Sequence, residues 1–322
     1  ARGSLLIDSG GPVDLLIKVE GGNVDLTGST VERLLTDNDP DLERSTGGFP
    51  GFVDKDFDNT DTVNMAATAN FEIGDHTLTS ITGYSSYSYE KRLDSDFGPA
   101  TLFASLFAED FSQLSQEVRL ASPAGGRIEY IFGGYAHIND YDLTGATQLL
   151  FGPFDGASTR YFSQENTALS AFASATFYAT DTLRLLGSIR YTYDKKTADQ
   201  RREIEGVVLP SYLTTPLTGR IVEKEWDPSV AIQYDVLPDV MVYASYGQGS
   251  KAGGFVGAQS TTTENTFTLG SESAETWEAG VKLAAFDRRL RLNLAGYRTD
   301  FDNLQVSSFD TATTSFITSN AG

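Results

Sequence analysis

The chain contains no cysteine, only two histidines and only two tryptophans. The missing cysteines exclude a disulfide scaffold, thiolate catalysis and thiolate metal sites. With only His76 and His137, a multi-histidine metal site or a histidine-rich catalytic centre is nearly excluded too. No segment supplies a nucleophile, a base and an orienting group together, so we expect no enzyme, no catalytic residue and no bound cofactor.

Long apolar runs are also missing. The longest apolar segment is 100–108, and Thr101 and Ser105 interrupt it, whereas a transmembrane helix needs about 18 or more apolar residues. The chain starts Ala1-Arg2-Gly3, without the charged start and apolar core of a signal peptide. We therefore expect either a soluble protein or a membrane β-protein whose export signal lies outside this sequence.

Positive charge is scarce. The 322 residues include 24 Lys and Arg against 44 Asp and Glu, which gives a net charge of −20. This balance argues against a nucleic-acid partner, because phosphate neutralisation needs clustered basic side chains. Aromatic residues make up 11% of the chain, and disordered acidic chains lack them, so most of this chain is expected to fold.

Many segments alternate between apolar and polar residues with a period of two. Successive side chains of a β-strand point to opposite faces, so such a segment has one apolar and one polar wall. Between 183 and 194 the apolar wall consists of Leu183, Leu185, Gly187, Ile189, Tyr191 and Tyr193. The same pattern occurs at 169–177, 276–283 and 290–294.

Turn-forming residues separate these segments into about thirteen strands, which are joined alternately by tight turns and long polar connections. The predicted strands are 1–8, 13–21, 61–73, 77–90, 111–121, 128–142, 162–179, 183–200, 220–236, 240–252, 272–286, 290–308 and 314–322. A soluble sandwich has shorter strands and more evenly spaced turns, whereas short turns at one end and long loops at the other are typical of outer-membrane barrels. We predict an all-β, antiparallel transmembrane β-barrel.

The barrel hypothesis assigns a face to each alternating position. The side chains predicted to face lipid are Leu185, Ile189, Trp277, Val281, Leu290 and Leu292. The side chains predicted to line the lumen are Glu117, Arg119, Arg184, Arg190, Glu278 and Lys282. Charged groups on the lumen wall are expected to pair with one another or with a plug. His137, in the middle of a strand, is predicted to be a polar residue of this wall rather than a haem ligand.

Five stretches resemble the barrel of TonB-dependent outer-membrane receptors. They are Leu78–Tyr84, Phe111–Leu120, Trp226–Ser229, Tyr243–Phe255 and Glu275–Lys282. No single stretch is specific, but their order and their positions on the predicted strands make the match strong.

The resemblance implies that residues 1–322 are part of one barrel domain, here an incomplete barrel. Members of the family also have an N-terminal plug domain and a short segment that contacts TonB. The plug, the first strands and the C-terminal strands, which end in an aromatic residue, are expected to lie outside this sequence.

The resemblance also implies a function in the bacterial outer membrane, among lipid and lipopolysaccharide. A scarce ligand binds from outside, and TonB then pulls on the plug to open a path. The ligand is a ferric siderophore or other iron complex in the interpretation we favour, with haem, cobalamin and a glycan as further ligands. The alternatives are a passive porin-type channel, which shares the strand rhythm but lacks a plug, and a β-rich adhesin.

Candidate ligand contacts lie where the predicted strands meet the long loops, because the family binds its ligands there. Three phenylalanines could supply an apolar surface for a siderophore or haem, and the other candidates lie at loop boundaries. The candidates are Phe97, Phe103, Phe107, Arg160, Tyr161, Lys251 and Phe255. Residues 100–108 have apolar pairs at i, i+4 and are predicted to form a short loop helix.

The acidic segment 36–61 is predicted to be a solvated extracellular loop. Its residues 54–58 begin like a calcium-binding loop. The pattern then fails, because Asn59 stands where the turn glycine belongs and Met65 where the bidentate glutamate belongs. Loose binding of a divalent cation remains the alternative interpretation.

Overall fold

A computed structural model describes residues 1–27, 56–95, 102–150, 152, 155–206, 215–257, 263–311 and 315–321. The regular structure of these residues consists of antiparallel β-strands. Within these ranges, no helix has the length and apolar character needed to cross a membrane.

Twelve strands of the described residues form one sheet. They are β1 (Arg2–Asp8), β2 (Val13–Leu26), β3 (Phe57–Ile73), β4 (His76–Asp94), β5 (Phe103–Ala121), β6 (Ile128–Leu149), β7 (Gly156–Tyr178), β8 (Leu183–Gly206), β9 (Leu217–Leu237), β10 (Val240–Lys251), β13 (Glu272–Ala285) and β14 (Leu290–Asp302). Two small ladders accompany the sheet. They are β11 (Gly254–Phe255) with β12 (Thr268–Leu269), and β15 (Leu304–Asp310) with β16 (Ser315–Ala321).

The order of strands in the sheet follows the order in the chain. Each strand pairs antiparallel with the next one, and β10 pairs directly with β13. The edges of the described sheet are β1 and β14, which do not pair with each other. The structure therefore confirms the prediction of an antiparallel barrel wall that is not closed.

The connections differ at the two ends of the sheet. Tight turns occupy 9–12, 74–75, 122–127, 179–182, 238–239 and 286–289 at one end. The connections at the other end, which we call the loop end, span 27–56, 95–102, 150–155, 207–216 and 252–271. The predicted alternation of short and long connections is confirmed for 27–56, 95–102, 207–216 and 252–271. It is wrong for 150–155, which is no longer than the turn 122–127, because β6 and β7 continue into the predicted loop.

Several strands continue further toward the loop end than predicted. For example, β6 runs to Leu149 rather than 142, and β8 runs to Gly206 rather than 200. The sequence there is polar, which suggested a loop. An antiparallel ladder pairs backbone groups whatever the side chains are, so polar residues continue these strands beyond the apolar region.

The predicted loop helix at 100–108 is wrong for its described residues. Residues 103–108 belong to β5, where Phe107 pairs with Lys91 on one side and with Gly145 on the other. A period of two also places residues i and i+4 on one face. The spacing of Phe103 and Phe107 therefore fitted a strand as well as it fitted a helix.

The predicted strand 290–308 is also interrupted. Strand β14 ends at Asp302, and Asn303 has a φ of 52°, a left-handed conformation that asparagine tolerates better than most residues. The following strand β15 leaves the sheet and pairs with β16. The predicted hairpins of 162–179 with 183–200 and of 272–286 with the start of β14 are confirmed.

The register separates an apolar outer face from a polar inner face. Ile189 of β8 and Trp277 of β13 lie on the outer face, and Trp277 is 60% exposed. The other residues predicted to face lipid share the outer face, namely Leu185, Val281, Leu290 and Leu292. The six charged residues predicted to line the lumen alternate with them and lie on the inner face.

Charged groups of the inner face pair with one another. Arg119 is 3.0 Å from the Glu117 carboxylate, and Arg184 is 2.7 Å from Asp235. The Tyr243 hydroxyl donates to Glu278 at 2.5 Å. Such neighbours offset part of the cost of placing charge on a wall that is only partly solvated.

The apolar part of the outer face has the length of a membrane span. It covers residues 128–138 of β6, 183–193 of β8 and 226–236 of β9, and a transmembrane strand needs about 9–11 residues. We call this region the apolar band. Two aromatic pairs lie on it. They are Tyr191 with Trp226, with ring centroids 4.7 Å apart, and Tyr246 with Trp277, 4.6 Å apart.

The two faces predict that the same substitution lowers the unfolding free energy by different amounts at two adjacent residues. Ala173 lies on the outer face opposite Ile189, and Ser174 lies on the inner face opposite Ser188. In the full-length protein in lipid vesicles, Ala173→Arg should cost about 2–4 kcal/mol of unfolding free energy, because it places a charge in the bilayer. Ser174→Arg is the matched control and should cost much less. Equal losses in urea titrations would contradict the register.

Candidate ligand-binding site

Three cross-strand rows of inner-face side chains form a wall near the loop end. The first row is Tyr87, Phe111 and Tyr141. The second row is Tyr89, Glu109, Leu143, Phe162, Gln200 and Leu217. The third row is Lys91, Phe107, Gly145, Arg160 and Arg202. We call these rows the loop-end wall. They place aromatic, acidic and guanidinium groups side by side.

Aromatic contacts dominate the first two rows. Tyr87 stacks on Phe111 with ring centroids 5.3 Å apart, and Tyr141 meets Phe162 edge-on at 6.2 Å. The Tyr87 hydroxyl donates to Glu109 at 3.3 Å. Burial, and then the Glu109 carboxylate, raises the pKa of Tyr141, which lies beyond the apolar band. The tyrosines therefore act as neutral hydrogen-bonding groups.

Two arginines stand opposite each other in the third row. Arg160 is 4% exposed, and it is the register partner of Arg202 on β8. The Arg202 guanidinium donates to the Ser158 hydroxyl at 2.8 Å. Gly145 makes room for Arg160, because a Cβ at this glycine would lie 2.8 Å from Arg160 Nη2. The missing side chain on β6 thus leaves space for the Arg160 guanidinium.

The connection between β10 and β13 folds back onto the inner face. Its ladder β11–β12 brings Phe255 and Phe267 within 5.1 Å of each other, and Phe267 is 6.4 Å from Phe162. A buried apolar cluster results. It contains Leu143, Phe162, Ala198, Leu217 and Phe267, with Tyr141 and Phe255 packed against it. We call the described residues of this connection, 252–257 and 263–271, the inner hairpin.

Glycines allow the inner hairpin to lie close to the sheet. A Cβ at Gly219 of β9 would collide with the Phe255 ring. A Cβ at Gly257 of the inner hairpin would be 2.6 Å from the Phe162 ring. Both aromatic rings therefore pack directly against backbone, and the inner hairpin covers one side of the loop-end wall.

A chain of polar groups holds the base of the inner hairpin. Lys196 donates to the Gly253 carbonyl at 2.7 Å, and the Gly253 N–H donates to Glu223 at 2.6 Å. Lys196 is also 3.5 Å from Asp194. Asp194 accepts from Asn166 at 2.8 Å, and Asn166 lies 2.6 Å from His137 Nε2. His137 is thus a hydrogen-bonded residue of the inner face, as predicted.

The structure places most of the sequence-predicted contacts on the inner face. Phe103, Phe107 and Arg160 lie there near the loop end, and Phe255 lies in the inner hairpin. Lys251 also lies on this face, where its ammonium is 3.6 Å from Glu272. Phe97 and most of the acidic segment 36–61 lie outside the described residues. Ligand contact by these residues stays a prediction.

Tyr161 is the exception among the candidates. It lies on the outer face, where the Arg201 guanidinium is 4.0 Å from its ring centroid. Adjacent residues of a strand point to opposite faces, so Arg160 and Tyr161 do not contact the same ligand. Several residues of the loop-end wall were not among the candidates. They are Tyr87, Glu109, Phe111, Tyr141 and Arg202. Counting alternate residues along each predicted strand, from the apolar segments toward the long connections, would have placed these residues on the inner face.

A metal site is not visible in the described part of the chain, where no three His, Asp or Glu side chains are grouped to hold an ion. Asp56, at the end of the acidic segment, accepts a hydrogen bond from the Asp94 backbone at 3.0 Å. Asp58 lies 3.2 Å from the Lys91 ammonium. Both carboxylates therefore have structural roles at the loop end.

Comparison with protein families gives one match. The family model described as "TonB dependent receptor-like, beta-barrel" matches residues 14–322, which is nearly the whole chain.

Comparison with solved structures gives matches to siderophore receptors at low sequence identity. The ferric yersiniabactin uptake receptor FyuA of Yersinia pestis has a TM-score of 0.73 at 18% identity, over 97% of this chain and 44% of that one. The siderophore receptor PiuA of Acinetobacter baumannii has a TM-score of 0.68 at 15% identity, over 100% of this chain and 51% of that one. The ferripyoverdine receptor of Pseudomonas aeruginosa has a TM-score of 0.69 at 17% identity, over 100% of this chain and 44% of that one. This chain therefore spans about half the length of the structures that it matches.

The polar chain at Lys196 predicts how the inner hairpin can be loosened. Lys196→Met keeps the aliphatic stem but removes the charged donor to Gly253, an interaction whose loss should favour opening about tenfold or more. We expect faster chymotrypsin cleavage at Phe255 or Phe267 in the folded full-length protein, followed by mass spectrometry. Lys195→Met is the matched control, because Lys195 lies on the outer face. Equal cleavage rates would show that Lys196 does not hold the hairpin.

Proposed function

Because this chain belongs to the TonB-dependent receptor β-barrel family, we propose that the protein imports a scarce ligand across the bacterial outer membrane with energy delivered through TonB. The observation that carries this proposal is the family match over residues 14–322. The apolar band and the polar inner face support a membrane location. The loop-end wall supports ligand binding at the end of the barrel that carries the long connections.

The ligand we favour is a ferric siderophore. Siderophores present planar chelating groups and iron-bound oxygens. The aromatic rows of the loop-end wall suit the planar groups. The partly exposed Arg202 suits the negatively charged oxygens through charge-assisted hydrogen bonds, and the buried Arg160 beside it adds positive charge. The ferric yersiniabactin and ferripyoverdine receptors have the same fold. Their likeness supports the ligand class without naming the compound.

Haem is a weaker proposal. Coordination of haem iron by histidine would need an accessible imidazole nitrogen, and Nε2 of His137 lies 2.6 Å from Asn166. His76 lies at a tight turn, where its ring is 2.8 Å from the Tyr130 hydroxyl. That turn is at the opposite end of the sheet from the loop-end wall.

We further propose that residues 1–322 belong to a single barrel domain, and that the same full-length protein also contains a plug domain, a TonB-contacting segment and the remaining strands. The matched solved chains are about twice as long as the matching region. A plug would contact the inner face, where charged pairs such as Arg119 with Glu117 lie.

Uptake of radioactive iron tests the transport mechanism. Cells that produce the full-length protein should take up iron from a panel of hydroxamate, catecholate and phenolate ferric siderophores. At least one compound should accumulate with saturation, and only when TonB is present and the inner membrane is energised. Cells without TonB should still bind this compound at their surface.

The same assay separates the porin alternative. A passive channel would admit the compounds without TonB, and the rate would rise linearly with the outside concentration. Such an outcome would overturn active transport.

The position of Arg160 predicts a specific loss of binding. Arg160→Gln should weaken surface binding of the imported ferric siderophore about tenfold or more, because the buried Arg160 guanidinium opposite Arg202 contributes positive charge to the wall that a negatively charged ligand meets. Arg201→Gln is the matched control, since Arg201 is an arginine of β8 on the outer face. Binding is measured in cells without TonB, so that transport does not contribute. Equal affinities of the two variants would remove Arg160 from the site.

A further inference from the structure

Two tyrosine hydroxyls of the loop-end wall face one carboxylate. Tyr87 on β4 and Tyr141 on β6 are the register partners of Phe111 on β5, so the two tyrosines flank this central strand. Glu109 lies two residues from Phe111 on the same strand and on the same face. The Tyr87 hydroxyl donates to Glu109 Oε2 at 3.3 Å. We call Tyr87, Glu109 and Tyr141 the tyrosine–glutamate cluster.

The Tyr141 hydroxyl belongs to the same group of oxygens. Burial, and then the Glu109 carboxylate, raises the pKa of both tyrosines, and Tyr87 also contributes to the raised pKa of Tyr141. Each phenol therefore lies in the electrostatic field of the carboxylate. Stacking on Phe111, with ring centroids 5.3 Å apart, fixes the position of the Tyr87 ring. Three oxygen-bearing side chains thus converge on paired strands.

The carboxylate of the cluster is not neutralised by a basic side chain. Within the described residues Glu109 makes no ion pair, and Lys91, one row closer to the loop end, is 3.2 Å from Asp58 instead. Arg160 lowers the pKa of Tyr141, but by less than Glu109 raises it. The cluster therefore has a negative charge that only phenol groups contact, which indicates a site for a cation.

The types of oxygen in the cluster favour a ferric ion. Ferric iron is a small trivalent cation that prefers hard, negatively charged ligands, and phenolate and carboxylate oxygens are ligands of this kind. A ferric site can therefore form without three grouped His, Asp or Glu side chains, which the described part of the chain lacks. Without a cation the tyrosines stay protonated. A bound trivalent cation reverses this preference, because its charge favours the phenolate form.

We propose that Tyr87, Glu109 and Tyr141 bind a ferric ion directly when iron arrives on a weak chelate. Bonds form from iron to the two phenolate oxygens and to the carboxylate, and oxygens of the chelate or of water leave the iron. The two phenol protons pass to water, and the iron stays ferric. This inference goes beyond the proposed import of an intact ferric siderophore, and it does not depend on TonB.

Ferric nitrilotriacetate is the probe, and the full-length protein in nonionic detergent is titrated with it. Ferric iron bound to phenolate absorbs visible light, so the wild-type protein should gain a charge-transfer band. The variant Y87F/Y141F should lose this band and bind iron about tenfold more weakly or worse. The matched control Y178F/Y243F removes two tyrosines that each donate to a different glutamate, and it should behave like the wild type.

Proton release and competition by calcium give independent measures. The wild-type protein should release about two more protons per iron than Y87F/Y141F does, because both phenols must ionise to bind the metal. Calcium at the same concentration should not displace the iron, because neutral tyrosines and one carboxylate hold a divalent ion weakly. Displacement by calcium would show a general cation site and would overturn the proposal. A band of equal intensity in the two double variants would also overturn it.

A second pair of variants keeps the outcome interpretable. If Y87F/Y141F does not fold, as judged by its circular dichroism, E109Q is compared with E278Q, which makes the same change at the acceptor of Tyr243. E109Q should bind iron about tenfold more weakly or worse, and equal iron affinities of the two variants contradict the proposal. Siderophore uptake without iron binding at the cluster rejects this inference alone. Iron binding at the cluster without siderophore uptake rejects the proposed function alone.

Discussion

The structure depends on the pairing of backbone N–H and C=O groups between neighbouring strands. In a bilayer these groups have no water to bond with, so a spanning sheet must pair them internally. The antiparallel order from β1 to β14 provides this pairing and leaves the side chains free to alternate. One set of side chains can therefore match lipid while the other matches water, ligand or plug. The apolar band and the charged pairs of the inner face both follow from this division.

The same pairing allows the strands to extend beyond the apolar band. Past residue 193, β8 continues as a ladder with β7 and β9, although its outer side chains become polar. This extension carries the loop-end wall, where Arg160 and the aromatic rows lie on rigid strands rather than on loops. The inner hairpin then packs against the wall through Phe255 and Phe267. The loop-end wall thus lies on paired strands, and the inner hairpin that covers part of it is held through Lys196.

The strand order and the two faces could be predicted from the sequence, because a period of two and tight turns are local signals. The family was indicated separately, by the resemblance of five stretches. It failed where local signals were ambiguous. Phe103 and Phe107 fit both a helix and a strand, and the polar ends of β6 and β8 resembled loops. Tyr161 was grouped with Arg160 because the two residues are adjacent, although alternation separates them. The inner hairpin could not be predicted, because the packing of Phe267 on Phe162 joins residues that are distant in sequence and share no motif.

The central claim is that each spanning strand presents one face to lipid and the other to water. The absence of cysteine permits single-cysteine variants at each position of 183–195 in the full-length protein. In intact vesicles, a water-soluble maleimide should label cysteines at inner positions such as Ser188 and spare those at outer positions such as Ile189. A quencher attached to lipid should instead reduce the emission of a fluorophore at the outer positions and leave a fluorophore at the inner positions unaffected. The alternation should end at Lys195, where labelling from water begins on the outer face. Uniform labelling along 183–193 would contradict the account.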